Sequence, residues 1–210
     1  MLKQLLARFG RSRSGVAALE FALIAPAMIV MLVGGVEVSS AITAANRATF
    51  IAETIGELVS RTKGPIGESE MAGFIKMAAL IDPNVIRHAA NTGKTLEAAV
   101  DVTVSSVEFS LADAACKRDC TYKADVEFST SLTGRTRPCG ALPAGSGSSL
   151  STLPPEVFGP GSIVVVDVVA SYEPVIVSVL SETISFHRST FFRPRHVAAV
   201  EYAVSCPGRS

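Results

Sequence analysis

Residues 16–36 read VAALEFALIAPAMIVMLVGGV, 21 residues with one charge, Glu20. An α-helix rises ~1.5 Å per residue, so this stretch would span roughly 31 Å. That matches a hydrocarbon core about 30 Å thick. The reading predicts one transmembrane helix over 16–36. Lys3, Arg8, Arg11 and Arg13 precede it, with no acid among residues 1–15. The positive-inside bias then puts the N-terminus in the cytoplasm and everything after Val36 outside. A secretory signal peptide is the competing reading. Its apolar region runs about 7–15 residues and ends in a small-residue cleavage site. Here the run is longer, and Val38-Ser39-Ser40-Ala41 is a poor cleavage site. Length favours an anchor that stays.

The chain has 210 residues, room for one modest domain besides the span. Formal net charge is zero but unevenly split: residues 1–15 carry +4, and the remainder holds 15 basic and 19 acidic residues. Outside the first 15 residues no basic face is left, which argues against nucleic acid as a partner. There is no P-loop, no G-x-G-x-x-G and no G-x-S-x-G. His88, His187 and His196 show no metal-ligand spacing, and His187 reads as a solvent-facing strand residue. The expectation is no cofactor, no metal, no catalytic residue and no enzyme. Arg188, Arg193 and Arg195 read as a solvated strand end rather than an anion site, since exposed charges contribute little.

Glu20 is the informative residue of the span. A carboxylate in lipid is costly without a partner, so it marks function by default. Its context is Gly15-Val16-Ala17-Ala18-Leu19-Glu20-Phe21 at the junction of basic leader and apolar helix. This stretch resembles the processing site of type IV prepilins. There a peptidase cuts after a Gly, and a Glu stands fifth in the mature chain, followed by an aromatic. The resemblance implies Gly15, Val16, Glu20 and Phe21 as a processing site. It also gives Glu20 a role, because its carboxylate can neutralise the new α-amino group of a neighbouring subunit and offset the burial of both charges.

The wider segment from Arg13 to Pro26 resembles the TadE-like signature: a basic residue, Gly, small residues, Glu, an aromatic, an apolar stretch and a Pro. Glu37 fits the acidic residue that commonly follows. Val168-Val169-Ala170-Ser171-Tyr172-Glu173-Pro174 is similar to that family's late strand ending in Tyr and Pro. Phe191-Phe192-Arg193-Pro194-Arg195 resembles its closing Arg-rich motif. The cysteine-bearing middle matches no motif. The resemblance implies a pilin-like component of a Flp-type (type IVb) pilus assembly system, a minor pilin or assembly scaffold, with links to adhesion and secretion. Its implied partners are the inner membrane, other pilus-assembly and pilin-like subunits, and a prepilin-type peptidase. The implied location is the bacterial inner membrane, with the C-terminal domain periplasmic. Two readings from other classes compete: a membrane-anchored envelope enzyme or sensor, and an exported binding protein whose leader is removed.

Beyond the span, Val38, Ile42, Ala45, Ala48, Ala52, Ile55 and Val59 recur at steps of three and four. That is a helical stripe, so one long helix is expected from about Gly15 to Ser60, with Pro26 as a candidate kink. The stripe could pack on its own domain or on a partner helix. A second helix is expected over Ser69–Leu80, capped by Ser69, with Met71, Phe74, Ile75 and Ala78 inward. Asp82-Pro83-Asn84 reads as a turn.

From Ala99 the period becomes two. Val100, Val102 and Val104 alternate with Asp101, Thr103 and Ser105; Tyr122, Ala124, Val126 and Phe128 alternate with Lys123, Asp125, Glu127 and Ser129. These predict two half-buried strands. Residues 134–162 hold six Gly and five Pro and are expected to form a loop without regular elements, with Gly145-Ser146-Gly147-Ser148-Ser149 as its flexible centre. Ile163–Val169 reads as a buried central strand, and a last strand covers Thr183–Phe192. The expected organisation is a basic leader over 1–15, the transmembrane helix over 16–36, a helical region over 37–95, and a sheet-containing periplasmic domain over 96–210. The fold class is α+β, a long N-terminal transmembrane helix continuing into a small domain with an antiparallel sheet. Cys116, Cys120, Cys139 and Cys206 all follow the span. In an exported domain they are disulfide candidates with three pairings open.

Overall fold

The computed structural model describes residues 14–93, 95, 100–145, 149–172, 174 and 183–206. Lys3, Arg8, Arg11 and Arg13, the strand start at Ala99 and the loop centre Ser146-Gly147-Ser148 lie outside the described residues. The architecture is α+β, as the two periodicities predict. A 47-residue helix, α1 (Ser14–Ser60), is followed by α2 (Glu68–Ile81) and α3 (Pro83–Thr92). Then come strands β1 (Val100–Leu111), β2 (Tyr122–Ser131), β3 (Gly140–Leu142), β4 (Gly161–Tyr172) and β5 (Ile184–Phe192). The sheet is antiparallel in every pair, in the order β3-β2-β1-β4-β5. The chain divides into two units, and α1 passes from the first to the second between Ile42 and Thr43.

In the first unit α1 is apolar and exposed. Leu19, Leu23, Val30, Met31 and Leu32 are all exposed, and no described residue before Ala44 is buried. Pro26 lies inside the helix. It is the one helix among the described residues that is long and apolar enough to cross a membrane.

In the second unit the stripe resolves to packing on its own domain. Ala44, Ala45, Ala48, Ile51, Ala52, Ile55 and Val59 are buried, whereas Val38 and Ile42 are exposed. The buried set meets one face of the sheet through Val100, Val102, Val104, Val164, Val166, Val168 and Phe128. Small residues on the helix allow the backbone to approach the sheet, and β-branched residues suit the pleated surface opposite.

Several local expectations need correction. α2 begins at Glu68 with Gly67 at its N-cap and no side-chain cap, so Ser69 does not cap it. Glu68 and Glu70 instead place negative charge in the first turn, where the helix dipole favours it. Asp82-Pro83-Asn84 is not merely a turn. Asp82 ends α2, and its carbonyl accepts the Val85 N–H at 3.0 Å at the start of α3. Pro83 opens α3 at a position where its missing N–H costs nothing. The Arg47 guanidinium donates to the buried Asp82 carboxylate at 3.1 Å and ties this joint to α1.

β1 is buried on both faces, not one: Thr103, Ser105 and Ser106 are as enclosed as the valines. The reason is the 134–162 segment, which lies over the second face. It also contains β3 and a 3-10 turn at Pro155–Val157, so it is not free of regular structure. Its Leu142 and Leu153 join Val107, Phe109, Ala124, Val126, Ile163, Val165 and Cys206 in a second core. β2 serves both cores. Ser106 pairs with Phe128 and Val107 with Val126, so Glu127 is an extra residue, a bulge. The bulge reverses the side-chain parity of β2, and Phe128 points to the helices while Val126 and Ala124 point to the loop.

Candidate functional site

Gly15, Val16, Glu20 and Phe21 lie in the first two turns of α1. Val16 and Glu20 are four residues apart and share one helix face. Val16 is 59% and Phe21 69% exposed. Glu20 is also exposed, and among the described residues it makes no hydrogen bond or ion pair. A Cβ on Gly15 would meet nothing within 4 Å among the described residues, so packing against them does not require a glycine there. Gly56, later in the same helix, is the contrast. A Cβ there would stand 2.3 Å from the Phe192 ring.

The four cysteines form two disulfides, Cys116–Cys120 and Cys139–Cys206, one of the three open pairings. The first closes the tip of the β1–β2 hairpin. The second joins the segment before β3 to the C-terminal stretch, where the Cys206 N–H donates to the Glu127 carbonyl at 2.8 Å.

Arg188, Arg193 and Arg195 do not converge. Arg188 donates to the His187 carbonyl at 2.9 Å and Arg193 to the Pro160 carbonyl at 3.1 Å. Arg195 donates its backbone N–H to the Ser60 carbonyl at 2.9 Å and pairs with Glu57 at 3.5 Å. The closing motif thus fastens the end of β5 to the end of α1. His88 lies on α3, His187 on β5 and His196 beyond it. Among the described residues no group of His, Cys, Asp and Glu could hold a metal ion.

Sequence reasoning missed the most organised polar cluster. Asp167 stands within Ile163–Val169 on β4, and Arg137 reaches it from the loop: Nε to Oδ2 at 3.0 Å and Nη2 to Oδ1 at 2.9 Å. The Ser189 hydroxyl donates to Oδ1 at 2.5 Å. The remaining Arg137 nitrogen, Nη1, donates to the carbonyls of Ser149, Leu150 and Thr152. Burial pushes the Asp167 carboxyl above its ordinary range; Arg137, Ser189 and Arg135 oppose this without cancelling it. With both side chains enclosed, the cluster binds the loop to the sheet. A carboxylate inside a valine-rich strand was the available signal.

The class these features define is an α+β protein with one exposed, membrane-length N-terminal helix and two disulfides. Within that class, residues 15–54 match the family model described as TadE-like protein. The matched stretch begins at Gly15 and ends on the part of α1 that packs against the sheet, and it fits a protein associated with Flp-type pili. No curated protein and no solved structure matches the chain.

Proposed function

We propose that this protein is a pilin-like, membrane-anchored component of a Flp-type pilus assembly system, a minor pilin or an assembly scaffold. The observation that carries the reading is Gly15 followed by Glu20 at prepilin spacing, at the head of an exposed apolar helix that matches the TadE-like family. Residues 16–36 span the bacterial inner membrane. The basic leader stays in the cytoplasm and the disulfide-bonded domain faces the periplasm. A prepilin-type peptidase cuts between Gly15 and Val16. The open space around Gly15 supports this: the glycine serves no packing need against the described residues, whereas a protease must approach the backbone closely. Glu20 then neutralises the α-amine of a neighbouring pilin-like subunit.

The test is to express the chain beside an active prepilin peptidase, sequence the mature N-terminus, and fuse an export-dependent reporter after residue 210. A mature chain starting at Val16 and an active reporter are expected. An intact leader, with a control pilin cleaved, would defeat the processing reading. A reporter active only in the cytoplasm would defeat the topology.

A further inference from the structure

The two disulfides differ in their surroundings. Cys116–Cys120 sits at the tip of the β1–β2 hairpin, flanked by the exposed Lys117 and Arg118. Cys120 also lines an open groove together with Tyr122, Lys123, Leu142 and Phe158. Just below the tip, the Ala112 N–H donates to the Thr121 carbonyl at 2.9 Å, and Leu111 pairs with Tyr122. The hairpin is therefore closed by its own ladder, with or without the sulfur bridge. Cys139–Cys206 is exposed at Cys139 only. Cys206 is buried, at 4% exposure, in the second core with Val107, Leu142 and Leu153.

Thiol–disulfide exchange depends on access to one sulfur and on how well the other leaves as a thiolate. Neighbouring positive charge lowers a thiol's pKa, and apolar burial raises it. At the tip an incoming thiolate reaches Cys120 from the groove, and Cys116 leaves into water. Lys117 and Arg118 beside it are balanced by Asp113 and Asp119 in the same exposed loop. Access and solvation therefore favour the step, and the two cations keep the loop from being acidic. At the second bridge, attack on the accessible Cys139 would have to expel the Cys206 thiolate into an apolar core, and attack on Cys206 is blocked.

We propose that Cys116–Cys120 is an exchange site for dithiol reductants and that Cys139–Cys206 is inert to them while the domain is folded. The first thiolate of the dithiol attacks Cys120 Sγ. It forms a mixed disulfide, and the electron pair of the broken S–S bond departs on Cys116 Sγ. The second thiolate of the dithiol attacks its own partner sulfur in that mixed disulfide and releases the Cys120 thiolate. The dithiol ends oxidised to a disulfide, the tip ends as two thiols after proton uptake, and two electrons have moved. The proposal goes beyond the pilus reading and does not depend on the membrane anchor.

The experiment treats the full-length protein in detergent with dithiothreitol, quenches with an alkylating reagent at intervals, and maps the labelled cysteines by mass spectrometry. Cys116 and Cys120 should label roughly tenfold or more faster than Cys139 and Cys206, with circular dichroism unchanged during the fast phase. Lys117→Glu with Arg118→Glu, both exposed, should slow tip labelling several-fold without changing thermal stability. Opening of both bridges together, or of Cys139–Cys206 first, would overturn the proposal. An unchanged rate in the charge-reversed variant would overturn the assignment of Cys116 as the leaving sulfur.

Discussion

Phe192 of β5 occupies the space a side chain at Gly56 of α1 would need: its Cδ2 and Cε2 lie 2.3 Å from the position of a Cβ there. The helix comes this close to the sheet only because residue 56 has no side chain. Gly56→Ala would gain about 1 kcal/mol of helix propensity but must displace an aromatic ring body, and overpacking typically costs ~1–3 kcal/mol. A net loss of up to about 2 kcal/mol is expected in denaturant unfolding. Phe192→Leu in the same chain should recover part of it. A Gly56→Ala protein more stable than the parent would contradict the close approach.

Arg137 and Asp167 predict a non-additive pair. Arg137→Met leaves a buried carboxylate and Asp167→Leu a buried guanidinium, and breaking such a pair from one side costs ~3–5 kcal/mol. The double variant should be much less destabilised than the sum of the singles. The three loop carbonyls that Arg137 holds set a floor under its cost. A double-mutant cycle by chemical denaturation measures this, and additive singles would refute it.

The same pair has a pH signature. The folded-state pKa of Asp167 is raised above the ordinary 3.8. Through the window between 3.8 and the raised value, the folded state binds the proton better than the unfolded chain does. This share of stability is present below 3.8 and is lost as pH rises through the raised value. Other carboxylates slope the opposite way, so the comparison that matters is parent against the Arg137→Met/Asp167→Leu protein. The stability of the parent relative to the double variant should fall across that window as pH increases. A flat difference would show that the carboxyl is not shifted.

Removing the disulfides one at a time should separate their contributions. With chain-entropy bookkeeping, the Cys139–Cys206 loop of 67 residues is worth about 4 kcal/mol and the four-residue separation of Cys116–Cys120 about 2 kcal/mol. The paired Ser variants should rank in that order in thermal unfolding. The reverse ranking would show that the tip bridge, not the long one, holds the fold.

For the N-terminal site, Glu20→Ala is expected to leave membrane insertion intact, because it removes a carboxylate from an apolar segment, while reducing co-purification with pilin-like subunits. Gly15→Leu is expected to block cleavage. Insertion lost in Glu20→Ala would show that the carboxylate serves the anchor itself.

How much of this was legible varied with the kind of signal. α1 was, because a 3.6-residue stripe persists from the span to Val59 and nothing breaks it before Ser60. β2 was legible as a strand but not as a strand with two faces to serve. Tyr122, Ala124, Val126 and Phe128 alternate without interruption in sequence, and a bulge at Glu127 leaves no trace in that alternation. α3 was hidden because Asp82-Pro83 is as good a helix start as it is a turn. The loop's cover over the second sheet face depends on Arg137 finding Asp167, 30 residues away. No local pattern announces such a pair, although the isolated Asp in a run of valines shows that one member needed a partner. At the candidate site, the roles proposed for Gly15 and Glu20 rest on spacing in the sequence, not on contacts among the described residues.

The bridge from Cys139 to Cys206 has a mechanical consequence. Tension applied between α1 and the C-terminal end passes from Cys139 straight to Cys206 and bypasses everything between them, including β4 and β5. At roughly 3.3–3.6 Å per extended residue, the 67-residue separation withholds about 220 Å of contour from any pull on the chain. Under such a pull the described chain would stretch only through α1, the helical region and the β1–β2 hairpin, with β3, β4 and β5 locked behind a covalent shortcut.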